Sequence, residues 1–138
     1  MMKAKQKIAI HELLSRAAYY FDMHDISKLE SCFTPDANML VNIADGQTFG
    51  PFEGQAAIMG LMSATLANQT DIRRHVICDI FFESEGSKQA TVVSTLLLSS
   101  AKAGEISLVT SGIYRDIVKK IDGKWLFADR RLDLDMPF

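Results

Sequence analysis

Apolar residues recur at three-to-four spacing near the start of the chain. Ile8, Leu13, Leu14, Ala17, Ala18 and Phe21 fall on one side of a helix running from about Ala4 to Met23. Ser27-Lys-Leu-Glu30 has the form of a capping box, and it starts a short second helix through Phe33 that Thr34-Pro35-Asp36 stops. Met39-Leu-Val-Asn-Ile43 returns through Asp45-Gly46, which predicts a hairpin between Asn38 and Phe49. Pro51 and Gly54 then punctuate the chain before a third helix, about Gln55 to Asn68, with a stripe of Ile58, Leu61, Met62 and Leu66. From Ile72 no proline occurs until Pro137, and four β-rich runs follow at 72–83, 89–100, 105–121 and 124–134. Asp122-Gly123, between the last two, is the strongest hairpin signal in the chain.

Helix, helix, hairpin, helix and a four-stranded antiparallel meander define an α+β protein, and a chain of 138 residues fits one domain, 1–138. A long curved antiparallel sheet, with three N-terminal helices across its open side, closes into a cone around a small-molecule pocket.

Charge and composition narrow the partners. The net charge is -2 and no basic run exceeds two residues, which argues against nucleic acid. No apolar run spans a bilayer. The basic N-terminus is followed by Ile8-Ala-Ile10 and at once by His11 and Glu12, so no signal segment forms and a cytoplasmic location is expected. Cys32 and Cys78 make no disulfide framework; both sit among apolar neighbours and read as small core residues. The sheet face carrying Arg74, Val76, Cys78, Ile80 and Phe82 is too apolar for water, which predicts a homodimer or homotrimer.

Candidate chemistry concentrates in Asp71-Ile-Arg-Arg-His-Val-Ile-Cys-Asp-Ile-Phe-Phe82. Alternation puts Arg73, His75, Ile77, Asp79 and Phe81 on one face, a mixture of titratable and apolar groups that suits the wall of a pocket. His75 is then either a strand-end histidine bonded to a backbone carbonyl or a group facing the cavity. Asp22, a turn from the end of the first helix, stands where the helix dipole disfavours a carboxylate, and a partner explains it better than propensity does. An Asp22–His75 pair suits proton abstraction beside a carbonyl, then β-elimination or isomerisation, with no cofactor and no metal. His11 and His24 look solvent-facing, and no third ligand stands at suitable spacing for a metal. Charge developing on the substrate oxygen needs a donor. Arg131, on one strand face with Trp125, Phe127 and Asp129, is the first choice and Tyr114 the second; the bland alternative for Arg131 is a surface ion pair. Asp79 is a further pocket residue by phase, or simply a partner for Arg73. No Gly-x-Ser-x-Gly nucleophile motif is present.

Several segments in order carry a resemblance. Leu13-Leu-Ser-Arg-Ala-Ala-Tyr-Tyr-Phe-Asp-Met-His-Asp25 followed by Cys32-Phe-Thr-Pro-Asp-Ala37 resembles the opening of the SnoaL-like branch of the nuclear-transport-factor-like superfamily. Gly50, Gly54-Gln-Ala-Ala-Ile58, Arg74-His75, Gly112-Ile-Tyr114-Arg-Asp116 and Gly123-Lys-Trp125 through Arg131 resemble its later segments. The resemblance implies the cone fold and, from its dehydratase-like members, a helix-1 Asp and a sheet His paired in the pocket. Those positions fall on Asp22 and His75, with a late-strand Arg at Arg131 or, second, Arg130. Several members carry a pocket Tyr five residues before the Asp, where this chain has Ala17, with Tyr19 and Tyr20 out of phase. Three functions follow as expectations. The first is a cofactor-independent lyase or isomerase acting on a small hydrophobic, cyclic substrate, with Asp22, His75 and Arg131 catalytic and Tyr114, Trp125 and Asp79 against the ligand. The second is a non-catalytic ligand-binding or oligomerising module of the same fold. The third is an epoxide hydrolase using Asp79, Arg73 and Asp129.

Overall fold

The computed structural model describes all residues, Met1–Phe138. Three helices, α1 (Ala4–Asp22), α2 (Ile26–Glu30) and α3 (Gln55–Ala67), accompany six strands. These are β1 (Phe33–Ile43), β2 (Gln47–Glu53), β3 (Ile72–Ser84), β4 (Gln89–Lys102), β5 (Glu105–Ile121) and β6 (Lys124–Leu134). The meander and the hairpin form one sheet in the order β2-β1-β6-β5-β4-β3. All neighbours are antiparallel except β1 and β6, which run parallel. That long-range pairing, Met39 beside Arg130 and Val41 beside Leu132, joins the hairpin to the meander. No helix is long and apolar enough to cross a membrane.

The core lies between the inner sheet face and the helices. Ile10, Leu13, Leu14 and Ala17 of α1 and Ile58, Met59 and Met62 of α3 meet Leu96, Val118, Phe127 and Leu132 of the sheet. The α1 stripe therefore starts at Ile10, and Ile8, assigned to it by spacing, is exposed. Asp25, rather than Ser27, caps α2: its carboxylate accepts from the Lys28 amide at 3.1 Å. Thr34-Pro35-Asp36 lies inside β1 and so extends the hairpin backwards instead of ending a helix. Cys32 is buried as expected of a core thiol, whereas Cys78 is only half-buried.

Of the sheet's register shifts, two bulges set the phase of residues expected at the site. Between Cys78 and Phe81, β3 advances three residues while β4 advances two, from Thr95 to Val93, and Asp79 takes a positive φ of 50° there. Ile77, Ile80 and Phe82 then pack on the core, and Phe81 turns outward. In β6 two steps, Phe127 to Asp129, face one step of β5, so the inward series changes from Trp125 and Phe127 to Arg130, Leu132 and Leu134. Simple alternation is wrong beyond each bulge.

Candidate functional site

A cavity of about 430 Å³ opens between the sheet, α3 and the end of α1. Its wall is mainly apolar, with Met39, Val41, Leu61, Leu96, Leu132 and Leu134 contributing. The polar lining is Thr65, Asn68, Gln69, Arg73, His75 and Tyr114.

How α1 ends fixes Asp22. Met23 is the C-cap, and His24 follows in the left-handed region at φ 61°. His24 N–H donates to Phe21 O at 3.0 Å and Asp25 N–H to Tyr20 O at 2.8 Å, the paired bonds of a Schellman stop. His24 Nε2 also lies 3.3 Å from Gln69 Nε2, and Gln69 Nε2 donates to Asp71 O at 2.9 Å. These contacts link the end of α1 to the segment that leads into β3.

Because β3 is an edge strand, its outward amides need partners beyond the sheet. Asp22 supplies one, its two oxygens lying 3.0 and 3.1 Å from the His75 backbone nitrogen. The same carboxylate reaches His75 Nδ1 at 2.6 Å. Both side chains are largely withdrawn from solvent, 13% exposed for His75 and 7% for Asp22. Phe21 stacks on the imidazole with ring centroids 4.8 Å apart. A carboxylate can only accept, so it holds the proton of a neutral ring on Nδ1. Nε2 makes no bond within the chain, and its lone pair is the free basic site of a ring that lines the cavity.

Tyr114 also lines the cavity, its hydroxyl engaged by no other side chain. Burial pushes its phenol above the ordinary value; Arg130 pulls the other way, and Asp116 and Asp22 add to the rise. Arg130 lies 3.9 Å from the Tyr114 ring centroid and 4.1 Å from that of Phe127. Its Nε and Nη2 reach the two oxygens of the fully buried Asp116 at 2.9 and 3.2 Å. Burial pushes the Asp116 carboxyl up against the pull of Arg130. Burial opposes the charge on Arg130, but the Asp116 carboxylate beside it outweighs that and holds the guanidinium above its ordinary value. This pair braces the wall behind Tyr114 and does not line the cavity.

Three residues expected at the site lie elsewhere. Arg131, placed by the β6 bulge on the outer sheet face, is 54% exposed and pairs with Asp133 at 3.2 Å beside a charged groove that includes Arg115, Glu83 and Asp129. Trp125 is buried, but its Nε1–H donates to Gln6 Oε1 at 2.8 Å, which ties β6 to the start of α1 away from the cavity. Asp79 is exposed at its bulge and makes no bond to Arg73, whose partner is Asp71 at 3.1 Å. Asp79, Arg73 and Asp129 are therefore not gathered around a common water site, as an epoxide hydrolase would require. The cation at the cavity is Arg73, two residues from His75 on one strand face, a spacing legible in the sequence.

The architecture is thus an α+β cone with a mainly apolar chamber, one imidazole in its wall and a carboxylate bonded to that imidazole from behind. The chain belongs to the SnoaL-like domain family, whose model matches residues 3–131. A protein of unknown function with a cystatin-like fold from Nostoc punctiforme is 22% identical, with a TM-score of 0.82 over 99% of this chain and 97% of that one. A single-substitution variant of Rv3472 from Mycobacterium tuberculosis, also of unknown function, is 28% identical, with a TM-score of 0.79 over 94% and 72%. A candidate scytalone dehydratase from Novosphingobium aromaticivorans is 23% identical, with a TM-score of 0.77 over 95% and 85%. No curated protein matches the sequence.

Proposed function

We propose that the protein is a cofactor-independent lyase or isomerase of the dehydratase type, acting on a small hydrophobic substrate. The observation that carries this reading is the 2.6 Å contact between Asp22 Oδ1 and His75 Nδ1, the imidazole lining a largely apolar cavity with Nε2 left free. Nε2 takes a proton from a carbon beside a carbonyl, and the electron pair moves onto the carbonyl oxygen. The Tyr114 hydroxyl donates to that oxygen as charge develops, and Asp22 stabilises the imidazolium. The imidazolium then returns the proton to a different carbon, which completes isomerisation. Alternatively it protonates a departing β-hydroxyl, and water leaves as the double bond forms. The likeness to a candidate scytalone dehydratase is consistent with this chemistry.

The test is exchange of carbon-bound hydrogen in D₂O, read by mass spectrometry across a set of cyclic ketones and β-hydroxyketones with and without a carboxylate substituent. Wild-type protein should incorporate deuterium into at least one of them, and His75→Gln should not. No exchange with any member, or equal exchange by His75→Gln, removes the catalytic reading. A second reading, ligand binding without turnover, draws support from Arg131 lying outside the cavity and from Ala17 at the position where the resemblance to several dehydratase-like members implies a phenol. It expects ligand retention by both proteins and exchange by neither.

We propose further that a second copy of this chain covers the outer sheet face. There Val76, Leu97, Ile113, Leu108 and Phe81 are exposed, beside the charges of both signs on Arg115, Glu83, Arg131 and Asp133. Sedimentation should show a homo-oligomer that Leu97→Glu dissociates; a monomeric wild-type protein refutes this.

A further inference from the structure

Arg73 is the only permanently charged side chain in the lining of the cavity, and no Asp or Glu side chain lines it. Its Nε bonds both oxygens of Asp71, at 3.2 and 3.1 Å, and the Asp71 carboxylate is held in turn by the Ser100 hydroxyl. Nη1 and Nη2 bond nothing in the chain. One edge of the guanidinium is therefore fixed, and the edge formed by the two terminal nitrogens is left open. That edge is the planar fork that takes a carboxylate with two parallel bonds. Anchoring through Nε removes much of the rotamer freedom an arginine otherwise loses on binding. The side chain is 22% exposed, so water screens it less than a surface arginine.

The geometry points to a carboxylic acid as the ligand: an apolar or aromatic body in the chamber, and a carboxylate on the open edge of Arg73. This rests on, and sharpens, the reading of the cavity as a substrate site. Arg73 and His75 are two residues apart on one strand face, about 6.5–7 Å along the strand. The carboxylate and the acidic carbon of the substrate then lie within a few bonds of each other. Arg73 thus selects the substrate, while His75 acts on it.

The experiment is calorimetric titration with 2-naphthoate and, as its uncharged counterpart, 2-naphthamide. Wild-type protein should bind the acid at least tenfold more tightly than the amide. Arg73→Met should abolish that preference by lowering affinity for the acid far more than for the amide. Arg73→Lys keeps the charge without the fork and should retain part of the preference, which separates lost recognition from lost folding. His75→Gln should keep the full preference, so a failure of the base chemistry does not count against the clamp. Equal affinity for acid and amide in the wild type, no binding of either, or a preference that survives Arg73→Met overturns the proposal. A preference lost in His75→Gln and kept in Arg73→Met would assign the anion site to the imidazolium, which also overturns it.

Discussion

Replacing Asp22 with Asn changes almost nothing in shape and reverses the chemistry of the site. The carboxylate now accepts from the His75 amide and holds the Nδ1 proton. An Asn side chain keeps one oxygen for the backbone amide and turns its NH₂ toward Nδ1. Nδ1 must then accept, the ring proton moves to Nε2, and the free lone pair in the cavity is lost. The fold loses about one charge-assisted bond, roughly 1.5–3 kcal/mol. Base catalysis should fall about 10²–10⁴-fold, the usual worth of a positioned acid-base group; the equivalent change in a serine-protease triad costs about 10⁴ through the wrong tautomer. The tautomer can be read without a substrate, from long-range proton–nitrogen correlation spectra with the pH raised until the ring is neutral. Wild-type His75 should carry its proton on Nδ1, in a far-downfield signal fitting a 2.6 Å contact, and Asp22→Asn should carry it on Nε2. A wild-type ring protonated on Nε2, or a pattern that Asp22→Asn leaves untouched, refutes the reasoning.

The other expectations follow from burial and pairing. Arg130→Met or Asp116→Leu strands one member of a buried ion pair and should cost about 3–5 kcal/mol in urea denaturation, with the double variant Arg130→Met/Asp116→Leu costing less than the two added together. Arg131→Ala, on the outer face, should move stability by no more than about 0.5 kcal/mol and leave ligand affinity as it was. The Ser100 hydroxyl, with help from Arg73, holds the Asp71 carboxyl below the usual carboxylate range. Its contribution to stability is thus present above the unfolded value of about 3.9 and is lost as pH falls through the lowered one. Carbon-detected titration should show that low midpoint and its upward movement in Ser100→Ala. Trp125→Phe should cost about 1 kcal/mol for the lost bond to Gln6, with no effect on 2-naphthoate binding.

The elements themselves were written locally. The stripe of Leu13, Leu14 and Ala17, the Asp45-Gly46 and Asp122-Gly123 turns and the long β-rich runs each reflect a periodicity or a turn preference that needs no distant partner. They were enough for an α+β cone with a chamber. Asp22 was legible as an acid in an unfavourable dipole position, and His75 as an imidazole on a face otherwise suited to burial. Which side of the sheet each later residue faces was decided only by tertiary pairing. The bulges after Cys78 and Phe127 insert an extra residue against the partner strand, and each sends the side chains that follow it to the opposite face. That is why Arg130 went inward and Arg131 outward, and why Asp79 left the cavity. The parallel seam of β1 and β6 likewise depends on residues some ninety positions apart, and no local pattern records it. The sequence by itself determined the segments and the groups available for chemistry. The curved sheet determined which of those groups share a chamber, because strand phase depends on the neighbouring strand as well as on the chain's own alternation.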